Sequence, residues 1–297
     1  MKISIITPSL NSADHIERAI QSVLDQKIEN FEHIIVDAVS KDGTIDILKK
    51  YSHLRWVSEP DNGQSDAMNK GFAMSSGDII VYLNSDDYFL PNVFEKVLPF
   101  FESEKKFVVG DVLLQTMQGN EFNIKPNINY QKMLRHWEHA AFPNNPVQYF
   151  YHREVQEKFP FNINNKRTMD LEFLFDAASY YDFTKVDMTF GVYPLLDGAV
   201  SVEAQKDPMY WSFDTFGFLD RHVMNFEKKE ILEFKSSQQK AYLERTLQTM
   251  NEGSIHGKYD GLISSLRELT TTSFSKNPRK KYNLYKNVLK MFYRLGG

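Results

Sequence analysis

The sequence predicts an α/β protein: a mostly parallel central sheet flanked by helices, followed by a helical C-terminal extension. Three observations predict it. From Ile3 to about Phe101, short β-branched runs alternate with apolar residues at helical spacing, which is the pattern of βαβ units. Polar clusters fall directly after the strand-like runs, where the carboxyl edge of a parallel sheet lies. From about Val202 the composition shifts to long helical patterns rich in Lys, Glu and Gln, which sets a boundary between residues 1–201 and 202–297.

The elements follow in order. Ile3 to Thr7 reads as the first strand, and Ile16, Ala19, Ile20, Val23 and Leu24 share one face of the helix after it. His33 to Asp37 is a second strand with a helix beginning near Thr44, and Leu54 to Ser58 is a third with a helix through Ala67, Met68, Gly71 and Phe72. Ile79 to Asn84 is the fourth, and its helix is expected to open at Pro91, a favoured first helical position. Beyond it a strand is expected at Phe107 to Leu114, then a polar, Asn-rich connection to about Tyr130. A further strand follows around Gln148 to His152, and a helix starts near Met169.

The totals bound the function. The chain has 297 residues, 42% hydrophobic and 25% charged, with a net charge of -4, so no global attraction to nucleic acid is expected. There are no cysteines, which excludes disulfides and thiolate metal sites. The apolar stretch before Pro8 is too short for a signal peptide, and no run reaches the roughly 18 apolar residues of a membrane span. A cytoplasmic protein is the expectation.

Four polar clusters, Thr7 to Asn11, Asp37 to Gly43, Glu59 to Asp66 and Asn84 to Tyr88, each follow a strand and so converge on one crevice. The glycine-rich loops of dinucleotide or P-loop binding are absent. Carboxylates gather instead: Asp37, Asp42, Asp66, Asp86 and Asp87. Beside a diphosphate they would be repulsive without a divalent cation between, and Mg²⁺ or Mn²⁺ takes oxygen ligands. An isolated Asp-Asp pair is more often a solvated, capped turn, and Asp42 is also plausible as the helix cap for Thr44.

These residues resemble the family 2 glycosyltransferases with the GT-A fold, a Rossmann-related architecture, over roughly residues 1 to 201. Ile5-Ile6-Thr7-Pro8-Ser9-Leu10-Asn11 looks like the family's opening, which lines the base and ribose pocket and implies nucleotide contacts from Thr7, Pro8, Ser9 and Asn11. Ile34-Ile35-Val36-Asp37 with Ser40-Lys41-Asp42-Gly43-Thr44 resembles a second signature and implies that Asp37, with Ser40, receives the base. Ala38 and Val39 depart from the family's usual Asp or Gly there. Ser58-Glu59-Pro60-Asp61-Asn62-Gly63 and Asp66-Ala67-Met68-Asn69-Lys70-Gly71 imply Asp66 and Lys70 near the nucleotide and Asn62 in the donor pocket. Leu83-Asn84-Ser85-Asp86-Asp87 looks like the metal signature, implying Asp86 on ribose, diphosphate or cation and Asp87 on Mn²⁺ or Mg²⁺.

The resemblance further implies that residues 1–105 form a nucleotide-binding half and 106–201 an acceptor half. Asp170, in Thr168-Met169-Asp170-Leu171-Glu172-Phe173, stands where the family carries its catalytic base, with Glu172 a weaker alternative in the donor and acceptor pocket. Gln148 is similar to a residue near the donor sugar, although Val147 replaces the family's histidine. Asp197 to Ser201 looks like a closing loop. The implied activity is inverting transfer of a sugar from a nucleotide diphosphate donor, UDP most often in the family, to a saccharide or lipid-linked saccharide acceptor in cell-surface polysaccharide or glycolipid synthesis. A nucleotidyltransferase and a non-catalytic module that binds nucleotide sugars are the rival readings.

Three further features stand outside that resemblance. His136 and His139 share a helical face but lack a third ligand, so zinc is discounted. Between Leu269 and Gly297 stand seven basic residues and no acidic one, beside Leu284, Val288, Met291 and Leu295 at helical spacing. Peripheral contact with anionic lipid and packing on the chain's own domain explain that helix equally well. Tyr210, Trp211, Phe213, Phe216 and Phe218 fit an acceptor lip, with core packing the default.

Overall fold

All seven residues of strand β1 (Ile3–Ser9) are buried, because strands lie against both of its edges and helices cover the sheet around it. The computed structural model describes residues 1–126, 128, 130, 142, 143, 145–166, 168–196 and 222. The chain divides into two compact units, Met1–Ala199 and Val200–Gly297, and the first holds the whole sheet. The helical extension with its basic helix, the Tyr210 to Phe218 cluster, the Asp197 to Ser201 loop and the His136 and His139 pair lie outside the described residues.

Strands β2 (Phe31–Asp37), β3 (Leu54–Ser58) and β4 (Ile79–Tyr82) join β1 in parallel, with Ile3 opposite Phe31 and Ile79, and Ser9 opposite Asp37. Helices α1 (Ile16–Leu24), α2 (Thr44–Leu48) and α3 (Gln64–Met74) make the crossovers. Ile16, Ala19, Ile20 and Val23 form the buried stripe of α1, as their spacing predicts. Gly71 lets α3 lie close on β1, since a Cβ there would sit 2.3 Å from Cγ2 of Ile6.

Helix α4 (Val93–Glu102) begins two residues after Pro91 rather than at it. Asn92 takes a left-handed conformation (φ 61°), and the first free N–H groups, of Val93 and Phe94, donate to Oε1 of buried Gln26 at 2.9 and 3.3 Å. A distant side chain thus caps the helix and fixes its start.

Beyond α4 the parallel pattern gives way to a mixed one. Strand β6 (Phe107–Gln115) pairs antiparallel with β8 (Tyr149–His152), which pairs antiparallel with β4. The order across the sheet is β3-β2-β1-β4-β8-β6, continued by β9 (Phe183–Pro194) and β5 (Tyr88–Phe89), with β7 (Glu121–Ile124) on β6. Three of these strands and one helix go beyond the sequence reading. Strand β5 (Tyr88–Phe89) has two residues, too few for any period. Strand β7 (Glu121–Ile124) lies within the polar connection, folded back by a turn closed from Thr116 N–H to Asn120 O at 2.8 Å with Gly119 at φ 80°. Strand β9 (Phe183–Pro194) runs parallel to β6 with a bulge near Asp111, and its charged Lys185 and Asp187 obscure the alternation. Helix α5 (Glu154–Lys158) has only five residues. Helix α6 (Met169–Ala178) starts where the spacing predicts. Among the described residues no helix is long and apolar enough to cross a membrane.

The core on one side of the sheet joins Ile3, Ile5, Val81, Phe94, Phe150 and Phe190, with Phe150 edge-on to Phe94 and Phe190 at 5.6 and 5.4 Å. A smaller cluster of Ile16, Ile20, Ile35, Leu48 and Leu54 holds α1 and α2 against β2 and β3.

The amino-terminal edge of the sheet is closed by one carboxylate. Glu32 is buried, and its Oε1 accepts from Ser4 Oγ at 2.7 Å and Ser76 N–H at 2.6 Å, while Oε2 meets Lys2 Nζ at 3.0 Å and Arg55 Nη1 at 2.7 Å. Burial alone would raise its pKa, but the Ser76, Ser4, Lys2 and Arg55 partners outweigh it and hold the group at about 2. A carboxylate depressed in this way stabilises the fold above about pH 4.5, and that contribution is lost as pH falls toward 2. Glu32→Gln is expected to cost about 2 kcal/mol at neutral pH, and to flatten acid unfolding between those two values. Superimposable acid-unfolding curves for the two proteins would remove this role from Glu32.

Candidate functional site

Parallel pairing brings the carboxyl ends of β1, β2, β3 and β4 to one edge, and the loops leaving them are zipped to one another. Ser40 Oγ accepts from Asn11 N–H at 2.7 Å, and Asn11 Oδ1 accepts from Lys41 N–H at 3.0 Å. Thr44 Oγ1 accepts from Ser12 N–H at 2.8 Å, and the hydroxyls of Ser12 and Ser85 lie 2.8 Å apart. The loops after β1, β2 and β4 therefore share one hydrogen-bonded web. Asp42 Oδ2 accepts from Ala13 N–H at 2.9 Å, and its Oδ1 accepts from Thr44 N–H at 3.1 Å and Thr44 Oγ1 at 2.6 Å. Burial opposes its charge, but these bonds win and hold the carboxyl below the usual range.

The residues expected to meet a nucleotide divide into floor and rim. Thr7, Pro8 and Ser9 are buried within β1, and Thr7 Oγ1 lies 3.0 Å from Nε2 of buried His33. Burial, helped by His53, lowers the pKa of His33 to about 3, so the ring is neutral. Asp37 is also fully buried. Its Oδ2 accepts from Ser40 N–H at 2.9 Å and Ser58 Oγ at 2.7 Å, and its Oδ1 accepts from Ser40 Oγ. Three of the four or so acceptor directions of the carboxylate are taken, leaving about one. Asn11 and Ser40 form the rim.

Asp66 lies in the first turn of α3. Its Oδ2 accepts from Asn62 N–H at 2.9 Å, and Lys70 Nζ stands 3.6 Å away. The Asn62 N–H, outweighing the effect of burial, and then Lys70 lower its pKa. Lys70 is committed to Glu59 at 2.9 Å and to Pro60 O at 2.9 Å, and Lys166 Nζ donates to Asn62 O. Gln64 Nε2 donates to Asn84 Oδ1 at 3.0 Å, which links this loop to the acidic pair.

Asp86 and Asp87 are the electrostatic centre. Asp87 is fully buried; its Oδ2 accepts from Asn84 Nδ2 at 2.9 Å and Asn145 Nδ2 at 2.8 Å, whereas Oδ1 has no partner among the described residues. Burial, and then the Asp86 charge, push its carboxyl well above the usual range. Asp86 is partly exposed, and burial raises its carboxyl too, against its own N–H, His15 and Arg18. Arg18 donates to Asp86 O at 3.0 Å and lies 4.4 Å over the Tyr88 ring. Among the described residues no group of three or more His, Cys, Asp or Glu could hold a metal. The donor set nevertheless fits a hard divalent cation in one mode. Two adjacent carboxylates, one with a buried oxygen that has no partner among the described residues, would supply oxygen ligands to such an ion.

Asn145 is the residue that sequence reasoning missed, and its signal was the Asn-Pro step before a short run of buried residues. It caps the 3₁₀ turn Pro146–Gln148, with Oδ1 accepting from Val147 N–H at 2.8 Å, and Gln148 Oε1 accepting from Asn145 N–H at 3.2 Å. Gln148, expected in the donor pocket, is fully buried and also donates to Gly110 O at 3.4 Å. It stands behind the site as the support of Asn145, because the capping geometry turns its amide inward.

Glu172, the other residue expected in that pocket, is also turned inward. Its carboxylate accepts from Asn162 Nδ2 at 3.2 Å and Asn165 Nδ2 at 2.8 Å, and Asn165 Oδ1 in turn accepts from Thr168 N–H at 2.9 Å at the start of α6. Asp170 follows in the first turn of α6, with Oδ1 accepting from Leu171 N–H at 2.8 Å. Burial raises its pKa against the Leu171 and Asp170 N–H groups. The segment before α6 is bound to α3: Asn69 Nδ2 donates to Phe161 O at 2.8 Å, Phe161 N–H returns a bond to Asn69 Oδ1 at 3.2 Å, and Ser65 Oγ donates to Asn165 O at 3.2 Å.

Comparison with known proteins agrees with this architecture. Residues 1–349 of Staphylococcus aureus TarS in complex with UDP-GlcNAc match at a TM-score of 0.64 and 16% identity, over 100% of this chain and 92% of that one. Mannosyltransferase PcManGT from Pyrobaculum calidifontis, in complex with GDP-Man and Mn2+, matches at 0.59 and 15% identity, over 98% and 86%. At these identities the likeness is one of fold, and the fold is the GT-A-like α/β arrangement. The putative teichuronic acid biosynthesis glycosyltransferase TuaG of Bacillus subtilis (strain 168) is 40% identical over 104 residues, 33% of this chain and 41% of its own. WfaP of Escherichia coli, a UDP-Glc:alpha-D-GlcNAc-diphosphoundecaprenol beta-1,3-glucosyltransferase, is 31% identical over 144 residues, 45% of this chain and 56% of its own. The chain thus spans about half the length of these relatives or less. The model of glycosyl transferase family 2 matches residues 4–173, more than half of the chain, and the chain belongs to that family.

Proposed function

We propose that this chain moves a sugar from a nucleotide diphosphate donor, a UDP-sugar above others, to a hydroxyl of a saccharide or lipid-linked saccharide acceptor, with inversion and with Mn²⁺ or Mg²⁺. The observation that carries the reading is the buried Asp87 carboxylate, which has one oxygen without a partner among the described residues and the Asp86 charge beside it. Isolated buried charge is costly, and a divalent cation with a diphosphate offsets it. TuaG by its name supports cell-surface polysaccharide synthesis, WfaP a lipid-linked acceptor, and the TarS complexes with UDP and UDP-GlcNAc a uridine donor. A cytoplasmic location fits such a donor. The work falls to residues 1–201, with residues 1–105 taking the nucleotide and 106–201 the acceptor.

In this reading Asn11, Ser40 and the free acceptor direction of Asp37 receive the nucleoside, and Asp66 holds the Asn62 loop at the donor's side. Asp86 and Asp87 are the ligands of the cation, whose chemistry when bound is to offset negative charge on the departing diphosphate. Asp170 takes the proton of the acceptor hydroxyl as its oxygen forms a bond to the anomeric carbon, and the bond from that carbon to the diphosphate breaks with its electron pair leaving on the nucleotide. Loss of water around Asp170 makes it a stronger base than a solvated Asp.

Two substitutions test the assignment. Asp87→Asn is expected to cut transfer about a hundredfold or more, and to abolish the thermal stabilisation that UDP with Mn²⁺ confers. Without metal the variant is expected to be at least as stable as wild type, since an uncompensated buried charge has gone. Retained Mn²⁺-dependent stabilisation would exclude Asp87 as a ligand. Asp170→Asn should lower the rate of transfer about a thousandfold while the donor still binds. Unchanged turnover would move the base elsewhere, and a donor that binds with metal yet is never consumed by the wild-type protein would mark a binding module.

A further inference from the structure

Helix α1 carries a row of polar side chains to which the proposed function gives no part. Arg18, Ser22 and Gln26 recur every four residues along α1 and the turn that follows it, so they share one side. Each is bonded to the chain that leaves β4, and in order. Arg18 Nη2 donates to Asp86 O at 3.0 Å, Ser22 Oγ accepts from Phe89 N–H at 3.2 Å, and Gln26 Nε2 donates to Leu90 O at 2.9 Å. Gln26 is buried and Ser22 half-buried, and their bonds lead toward the start of α4. Arg18 is exposed, and its bond ends at the acidic pair.

A guanidinium beside two carboxylates ordinarily forms a two-pronged ion pair with one of them. Among the described residues Arg18 forms none with Asp86 or Asp87; it donates to the main chain, and its Cζ lies 4.4 Å over the Tyr88 ring. Tyr88 is itself fixed, because it belongs to β5 and pairs with Val192 of β9. The other residues of the acidic loop are held from elsewhere. Gln64 Nε2 donates to Asn84 Oδ1 at 3.0 Å, Ser85 Oγ lies 2.8 Å from Ser12 Oγ, and Asn145 Nδ2 donates to Asp87 Oδ2 at 2.8 Å. Arg18 supplies the hold at Asp86.

We infer that Arg18, held over Tyr88, is a positioning residue for the metal site: it fixes the main chain at Asp86 and leaves both carboxylates without an ion pair to the protein. The inference rests on Asp86 and Asp87 being the ligands of the divalent cation. Charge and position act here in opposite directions. A guanidinium repels a divalent cation nearby, so on charge alone its removal tightens metal binding. As an anchor, its removal loosens the loop that presents the two carboxylates together, and metal binding weakens.

The test is the binding of Mn²⁺ to the full chain with saturating UDP, read from the electron paramagnetic resonance signal of free Mn²⁺. Arg18→Met keeps an unbranched apolar stem and is expected to raise the Mn²⁺ Kd about tenfold, while thermal unfolding in EDTA stays close to wild type because Arg18 is exposed. Arg18→Lys restores the charge without the planar fork that stacks and donates at once, and should bind Mn²⁺ about threefold more weakly than wild type. Tyr88→Leu keeps Arg18 and removes the ring; the freed guanidinium then turns onto the Asp86 carboxylate, and Mn²⁺ binding should weaken as well. This variant serves in place of Arg18→Met should that protein fold poorly. Mn²⁺ binding as tight as wild type or tighter in the variant used, together with its loss in Asp87→Asn, overturns the Arg18 inference alone. Wild-type binding in Asp87→Asn overturns the ligand assignment and this inference with it.

Discussion

A carboxylate that has lost its water must find compensation, and the requirement at Asp87 organises the crevice around it. Two amides supply part of the compensation, Asn84 from the same loop and Asn145 from a segment fifty-eight positions on. Asn145 can do so only because its other groups are engaged in the turn that Gln148 completes, and Gln148 is itself fully buried. The chain therefore commits buried polar groups to one oxygen of Asp87 and leaves the second without a partner among the described residues. A network satisfied on one side only is costly in a finished fold, and it makes sense where a ligand completes it.

The two edges of the sheet make the contrast plain. At the amino-terminal edge Glu32 has both oxygens met, by three hydroxyl or amide donors and two cations, and its pKa falls to about 2. At the carboxyl-terminal edge Asp87 makes no ion pair among the described residues, has a second carboxylate beside it, and has a pKa driven up by burial and that charge in spite of Arg18. Both are buried, so burial does not separate them; compensation does. One edge is a closed structural node and the other an open one, as expected where open sheets bind ligands.

The sequence made the parallel half of the sheet legible because each of its strands is an apolar run followed by a helix of matching stripe. Strands β5, β7 and β9 were hidden by brevity, polar content and a bulge, and their places are set by partners far away in the chain. The candidate site was legible in the same measure. Polar residues at strand ends announce a crevice, but not which side chains face it. Gln148 and Glu172 turned inward to serve Asn145 and Asn165, and Asn145 itself came from a segment with no periodicity to mark it. Side-chain direction at a loop depends on capping bonds that spacing does not encode.

Val39 shows how such local choices are enforced. A β-branched residue at φ 61° is strained by about 1–3 kcal/mol, and Val39 is exposed, so no packing repays it. What holds it is the turn on either side: Asp37 accepts from Ser40 N–H and Ser40 Oγ, and Ser40 Oγ accepts from Asn11 N–H. Charge-assisted bonds of this kind contribute roughly 1.5–3 kcal/mol each, enough to impose the left-handed step without a glycine. The departure at Ala38 and Val39 from the family's usual Asp or Gly therefore leaves the loop's shape in the hands of Asp37. The same carboxylate that is expected to meet the nucleoside also sets the backbone around it, so the shape of the rim and the direction of Asp37 are fixed together.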